Sequence, residues 1–182
     1  MGKFSNTLTK KDIDFIASQH IFFTATAPFE GRINVSPKGM NSFRVINENE
    51  VAYLDLTGSG NESASHILEN KRLTIMMCAF EGKPNILRMY GKGEVILKKD
   101  AEWEDYFSKF NPIDGVRQII KLKIESVQNS CGMAVPFFDY NDERRELENW
   151  ATQKGEPGLL DYQNKNNLKT IDDKSNGITS YS

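Results

Sequence analysis

Apolar and polar residues alternate in short runs over the first third of the chain. "HIFFTATA" (20–27), "RINVS" (32–36), "SFRVI" (42–46) and "EVAYLDL" (50–56) are each rich in β-branched or aromatic residues. Turn clusters such as "PFEG" and "NENE" separate them, which is the signature of successive strands. Four strands in roughly forty residues with no helix between them predict an antiparallel meander and exclude a parallel βαβ arrangement. Further along, "RLTIMMCAF" (72–80), the turn "EGKP" and "NILRMYGKGEVIL" (85–97) predict a hairpin, and "GVRQIIKLKIESVQ" (115–128) another strand. Gly91 and Gly93 interrupt the second hairpin strand, as a bulge or bend in a barrel would require. Six or seven antiparallel strands with a few peripheral helices fit a small barrel better than a sandwich.

Helical periodicity fills the gaps. Thr9 with Asp12 three residues on, flanked by Leu8 and Ile13, predicts a capping box and hydrophobic staple at the start of a short helix. Ala64, Ile67 and Leu68 recur at three-and-four spacing and predict a second short helix, through about Glu69, packed on the sheet. "DAEWEDYFSKF" (100–110) is read as a helix opened by Asp100, with Trp103, Tyr106, Phe107 and Phe110 on one face. "NDERRELENWATQKG" (141–155) is read as a helix with Leu147 and Trp150 inward, stopped by Gly155. From about Asn164 the chain is polar, so residues 1–160 are expected to form one domain and 161–182 a loose polar tail.

Composition narrows the function classes. The 182 residues suit a single domain, and 23 basic against 25 acidic residues leave a net charge of −2, without the basic field that nucleic acid requires. The apolar runs are too short to span a membrane, and "MGKFSNTLTKKD" lacks the apolar centre of a secretory signal. These features predict a cytoplasmic protein with neither nucleic-acid nor membrane partners. Asn6 makes Gly2 a poor myristoylation site. Cys78 and Cys131 stand far apart and outside any C-x-x-C pair, so free thiols and no metal centre are expected.

The stretch with the most chemistry is "YLDLTGSGNESASHILENKRL" (53–73). A strand emptying into small polar residues at a helix start can hold an anion with backbone N–H groups. The alternative is a capped turn, with Ser59 and Glu62 as the capping box. Arg44 and Lys38 are ordinary surface residues on alternation alone, and Asp55 faces solvent by the same rule. Cys131 has no histidine partner: His20 opens a strand and His66 belongs to a helix surface, so Cys131 reads as a buried structural cysteine that lines a pocket at most. Tyr140 and Trp150 read as packing residues closing a barrel end, with substrate stacking as the alternative. No Ser-His-Asp order, paired carboxylates or Walker-type glycine run supports hydrolase or phosphotransferase chemistry.

"GRINVSPKG", "FRVI", "AYLDLTGSGNES", "NILRMYGKGEV" and "SCGMAVPFFDY…RRELENWATQKG" follow one another over about residues 10–160. In that order they resemble the pyridoxamine 5′-phosphate oxidase-like proteins, the FMN-binding split β-barrels, in a branch related to the vitamin enzyme rather than the enzyme itself. The resemblance implies a mainly β fold with peripheral helices, a six-stranded antiparallel split β-barrel. It also implies a homodimer with FMN sites at the interface, acting as an oxidoreductase on a small-molecule substrate. It places Arg44 near the ribityl and phosphate groups, with Val45 and Ile46 offering backbone groups to the isoalloxazine edge. Leu56, Thr57, Ser59, Asn61 and Ser63 would surround ribityl and phosphate, and Asp55 could bond a ribityl hydroxyl. Where the vitamin enzymes carry an Arg-Lys pair, this chain reads Asn61-Glu62-Ser63. The cation must then come from Arg44, Lys38 or Arg88. Arg88 would reach the partner's flavin, or else pair with a neighbour such as Glu94. The missing pair keeps deazaflavin and haem beside FMN, and a non-catalytic carrier or a cofactor-free dimer beside an oxidoreductase. The last residues lack arginine and the Arg-x-His pattern of the vitamin enzymes, which sets pyridoxamine phosphate oxidation aside.

Overall fold

The computed structural model describes residues 2–182. In chain order the elements are β1 (Lys3–Ser5), α1 (Lys10–Ala17), β2 (Phe22–Thr26), β3 (Asn34–Lys38), β4 (Phe43–Asn47) and β5 (Glu50–Leu56). They continue with α2 (Glu62–Asn70), β6 (Arg72–Cys78), β7 (Ile86–Leu97), α3 (Trp103–Phe107), β8 (Val116–Ser130) and α4 (Glu146–Asn166). Thr9 and Asp12 form the predicted capping box of α1.

All strand pairs are antiparallel, in the order β3-β2-β6-β7-β8-β5-β4, with β1 added on β8. The sheet curls without closing, since its two end strands, β3 and β4, do not pair. This is the split barrel the resemblance implies, with eight strands rather than six, the three-residue β1 among the additions. The predicted four-strand meander is accordingly interrupted. β2 pairs with β3 and β4 with β5, but β3 and β4 leave their shared tight turn on divergent paths. That turn has Met40 and Asn41 at φ 60° and 52° and a Ser42 N–H to Gly39 carbonyl bond of 3.3 Å. Pro37 within β3 has no N–H to offer a ladder, and proline in a sheet belongs on an edge.

Both glycines of β7 have a steric reason. The β7–β8 register shifts between Tyr90 and Gly91, and a Cβ on Gly91 would lie 2.0 Å from the Lys123 carbonyl oxygen. Gly93 lies against α2, where a Cβ would come within 2.9 Å of Ile67. Inside the barrel, Phe22, Val51, Tyr53, Ile67, Ile75, Leu87 and Leu122 belong to the main apolar core. A second cluster, with Ala52, Leu54 and Ile119 packed by Trp103 and Phe110, covers the other face of β5 and β8. The predicted aromatic face of α3 is therefore core, although the helix is shorter than 100–110. Asp100 does not cap it; its carboxylate accepts from the Leu97 N–H at 2.8 Å.

The carboxy-terminal part departs most from expectation. Gly155 does break the helix, at φ 62° and ψ 170°, but Pro157 sits in a second helical stretch that runs on to Asn166, where proline's missing N–H costs nothing at a helix start. Trp150 packs edge-on against Tyr162 of that second stretch, with ring centroids 5.1 Å apart, rather than closing the barrel. The remaining residues are not loose. Ile178 and Tyr181 are buried in a cluster with Ala64 of α2, and the side chains of Gln163, Asn167 and Asn176 are buried too. A run rich in Asn carries little hydrophobic signal, yet it packs here through hydrogen bonds. Among the described residues, no helix is long and apolar enough to cross a membrane.

Gly91→Ala should destabilise the fold by about 2–3 kcal/mol through overpacking against the β8 backbone. Gly58→Ala, which meets no atom within 4 Å, should change stability by less than about 0.5 kcal/mol. Urea unfolding of the two variants checks the contrast.

Candidate functional site

The open side of the split barrel is bridged by side chains. Lys38 of β3 donates to Asp55 Oδ1 of β5 at 2.8 Å, and Asn34 donates to Ser63 Oγ of α2 at 3.1 Å. Asp55 is fully buried, and its Oδ2 accepts from Arg117 Nε at 2.9 Å and Gln118 Nε2 at 2.7 Å. The β5–β8 register shifts just here, Asp55 pairing with Gln118 and Leu56 with Val116, which leaves Arg117 as the extra residue of a bulge. A bulge turns two successive side chains to one side of a strand, so Arg117 and Gln118 both reach Asp55. Burial pushes the Asp55 carboxyl up, but the Arg117 guanidinium and Lys38 ammonium outweigh it and hold the group well below the usual carboxylate range. The expectation that Asp55 faces solvent is overturned by this neutralised burial. Beneath it, Tyr53 lies with its ring 5.4 Å from Lys38 Nζ, and its buried hydroxyl has no hydrogen-bond partner among the described residues.

The loop at 57–63 is closed by the chain itself. Thr57 Oγ1 donates to the Gly115 carbonyl at 2.7 Å and accepts from Gln163 Nε2 at 2.8 Å. The Gly58 carbonyl accepts from Asn167 at 3.0 Å and the Gly60 carbonyl from Arg117 at 2.7 Å. Asn61 accepts from Gln118 at 2.8 Å and donates to Tyr181 Oη at 2.5 Å. The Ser59–Glu62 capping box does not form: α2 starts at Asn61 without a side-chain cap, and Glu62 Oε1 accepts from the Ile171 N–H at 2.9 Å. Of the residues proposed here, Ser59 alone is exposed. A phosphate monoester, the group that FMN would bring, does not fit this loop as it is folded, because the side chains that would grip it are turned inward and already paired.

Arg44 and Val45 stand elsewhere, lining a cleft of about 420 Å³ with residues of α1 and with Phe22 and Met77. Through His20, Gln19, Gly39 and Glu143 that cleft adjoins a larger cavity of about 1210 Å³, which Lys38 also lines. Arg44 is held by the Lys109 carbonyl at 3.0 Å and Asn41 Oδ1 at 2.8 Å, with its guanidinium 5.2 Å from the Phe110 ring centre. The segment between β8 and α4 roofs the larger cavity. Tyr140 stacks on His20 with centroids 3.7 Å apart and planes 6° from parallel, and its N–H donates to Glu81 at 3.2 Å. Tyr140 thus roofs the cavity, and its partly exposed ring is not barrel packing.

The ten residues named from the sequence therefore separate. Lys38, Arg44 and Val45 line the joined cavities. Ile46 and Leu56 pack on the second apolar cluster, and Thr57, Ser59, Asn61 and Ser63 belong to the closed loop. Arg88 lies on the outer face of the sheet and donates to Ser130 Oγ at 3.1 Å; Glu94 pairs with Lys121 instead, at 2.8 Å. Cys131 is exposed rather than buried. His66 is buried rather than on the helix surface, with Nδ1 3.0 Å from Thr26 Oγ1; burial lowers its pKa against the pull of Glu62 and Glu69. Among the described residues, no group of three His, Cys, Asp or Glu side chains is placed to hold a metal. Arg117 went unnamed from the sequence, because a bulge residue breaks the alternation that would have flagged it.

Comparison with known proteins places this geometry in a family. The family model described as pyridoxamine 5′-phosphate oxidase matches residues 8–131, more than half of the chain, and the chain belongs to the pyridoxamine 5′-phosphate oxidase family. It is 41% identical over 144 residues to the pyridoxamine 5′-phosphate oxidase family protein ustO of Aspergillus flavus. That match takes in 76% of this chain but 58% of the relative, so the chain spans little more than half that protein's length. Among solved structures, HupZ of Group A Streptococcus aligns with a TM-score of 0.55 at 18% identity, over 72% of this chain and 99% of that one. A Lactobacillus delbrueckii protein placed with the pyridoxamine 5′-phosphate oxidases aligns with a TM-score of 0.54 at 21% identity, over 68% of this chain and 94% of that one. At such identities these two show the shared fold.

The Asp55 cluster predicts an acid limb in stability. A carboxyl depressed in the folded state contributes stability that is present above its unfolded pKa, about 3.9, and is lost as pH falls through the folded value. The free energy of unfolding should therefore drop steeply below about pH 4. Asp55→Asn should cost about 3–5 kcal/mol at neutral pH, since it leaves the buried Arg117 and the half-buried Lys38 uncompensated, and should flatten that limb. Urea melts of both proteins across pH decide it.

Proposed function

We propose that this chain is a flavin-binding oxidoreductase of its family, taking FMN and acting on a small molecule in the cytoplasm as a homodimer. The observation that carries the flavin assignment is the cleft beside β4. β4 ends the sheet, and an end strand presents unpaired N–H and C=O groups along its free edge. Those are the groups that would meet the polar edge of a planar ring lying beside Val45 and Ile46. The cleft is of the size class that takes small molecules and opens into the larger cavity roofed by Tyr140, which gives substrate a place next to the ring. A flavin supplies the hydride chemistry when bound. The residues of this chain position it, with Arg44 fixed at the cleft by Asn41 and Lys109. The two unpaired cysteines agree with a reducing compartment.

The dimer assignment is supported by the outer face of the sheet. Register aligns Pro37, Phe23, Met76, Arg88, Gln128 and Phe4 in one row across six strands. Val35 and Ile33 are exposed beside it. A largely apolar face with a central arginine suits a self-complementary contact, in which Arg88 becomes buried against the second copy.

Purified protein titrated with FMN should quench flavin fluorescence saturably at one flavin per chain. Arg44→Ala should weaken that binding by about 1.5–3 kcal/mol, the scale of a hydrogen bond from a charged donor, here to the carbonyl edge of the ring; an unchanged affinity removes Arg44 from the site. No quenching at all would refute the flavin assignment. Sedimentation should give twice the chain mass for the native protein and the single-chain mass for Met76→Asp. A Met76→Asp variant that stays dimeric would refute this face as the interface.

A further inference from the structure

We propose that residues 163–182 act as an internal occupant of the loop at 57–63 and close it to phosphate, so that this chain recognises a flavin without its 5′-phosphate and takes riboflavin as readily as FMN. The second half of this proposal rests on the flavin assignment above; the first half does not.

The occupant reaches the loop by several contacts, the Asn167 and Ile171 bonds to Gly58 and Glu62 among them. Asn167 Oδ1 accepts from Arg117 Nη1 at 2.8 Å, so a neutral amide oxygen sits on the guanidinium at the loop. Tyr181 Oη sits on Asn61 Nδ2 at 2.5 Å, and Gln163 covers Thr57 Oγ1. The segment is anchored independently of those contacts. Ile178 and Tyr181 are buried against Ala64, and the Asn176 side chain donates to the Asn167 carbonyl. Asp172 pairs with Arg32, and Lys174 donates to the Glu30 carbonyl, both on the β2–β3 connection. Burial of Tyr181 pushes its phenol up to about 12, so it remains a neutral hydroxyl at working pH.

Charge opposes a phosphate at the same place. Arg117 is shared among Asp55, the Gly60 carbonyl and Asn167, and Lys38 is committed to Asp55. A dianion would have to displace two buried side chains, compete with Asp55 for Arg117, and approach Glu62 at the mouth of the loop. Asn61 and Ser63 are turned to the protein's own groups, Asn61 to Gln118 and Tyr181 and Ser63 to Asn34.

Two measurements on the native chain test this. FMN and riboflavin titrations should give dissociation constants within about threefold of each other, whereas phosphate recognition through a charge-assisted contact would favour FMN by tenfold or more. In parallel, backbone amide NMR signals of residues 58–64 should not move with added inorganic phosphate. Preference for FMN by tenfold, or loop signals that titrate with phosphate, would overturn the proposal. If neither flavin binds, the flavin assignment fails with the riboflavin half of the proposal, and the phosphate titration alone decides closure: fixed signals uphold it, shifting signals overturn it. Tyr181→Ala assigns the cause, since the loop amides should then lose protection against hydrogen exchange; retained protection would overturn the role given to this segment.

Discussion

A buried carboxylate is the charged centre of the bridge across the open side of this fold, beside the neutral Asn34–Ser63 bond. The sheet ends at β3 and β4 without pairing them, and what spans the gap is Asp55, bonded to Lys38 on one side and to Arg117 and Gln118 on the other. Such a charge is costly to desolvate, and it is tolerable because two cations and an amide satisfy it. The directional bonds do more than offset that cost. They fix the angle between β3 and β5 where no ladder can, and Arg117 carries the same network on to Gly60 and Asn167. The seam, the loop before α2 and the carboxy-terminal segment are therefore one hydrogen-bonded unit.

That unit separates two regions which the family resemblance would join. The cleft along β4 keeps an unpaired strand edge, an arginine held in place and a large adjoining cavity. In the loop at 57–63, the Thr57 and Asn61 side chains are bonded to the chain itself. The electrostatic centre beside that loop is Arg117 of β8, bonded to Asp55 and the Gly60 carbonyl.

Period-two alternation, β-branched content and glycine position made the barrel legible in the sequence, down to the bulge at Gly91. The cap of α1 and the aromatic face of α3 were equally plain, because each depends on residues three or four apart. What failed to show were features set by non-local geometry. The parting of β3 from β4 depends on a turn that also suits a hairpin. The inward aim of Asp55 depends on a pair of cations, one of them placed by a bulge. The packed end of the chain depends on Asn and Gln side chains whose partners, Thr57 and Gly58, lie 106 and 109 positions away. Candidate site residues were accordingly found as types but not as a constellation: Arg44 and Val45 do share a cleft, whereas Asn61 and Ser63 share only the closed loop.

The coupling across the seam is the central physical claim, and a double-mutant cycle between Lys38→Met and Asp55→Asn measures it most directly. If Asp55 and Lys38 bridge β3 to β5 as described, the two substitutions should be non-additive in unfolding free energy by about 1–3 kcal/mol, the range for residues in one buried network. Additivity within about 0.5 kcal/mol would contradict the account, leaving the seam to be held by the apolar core alone.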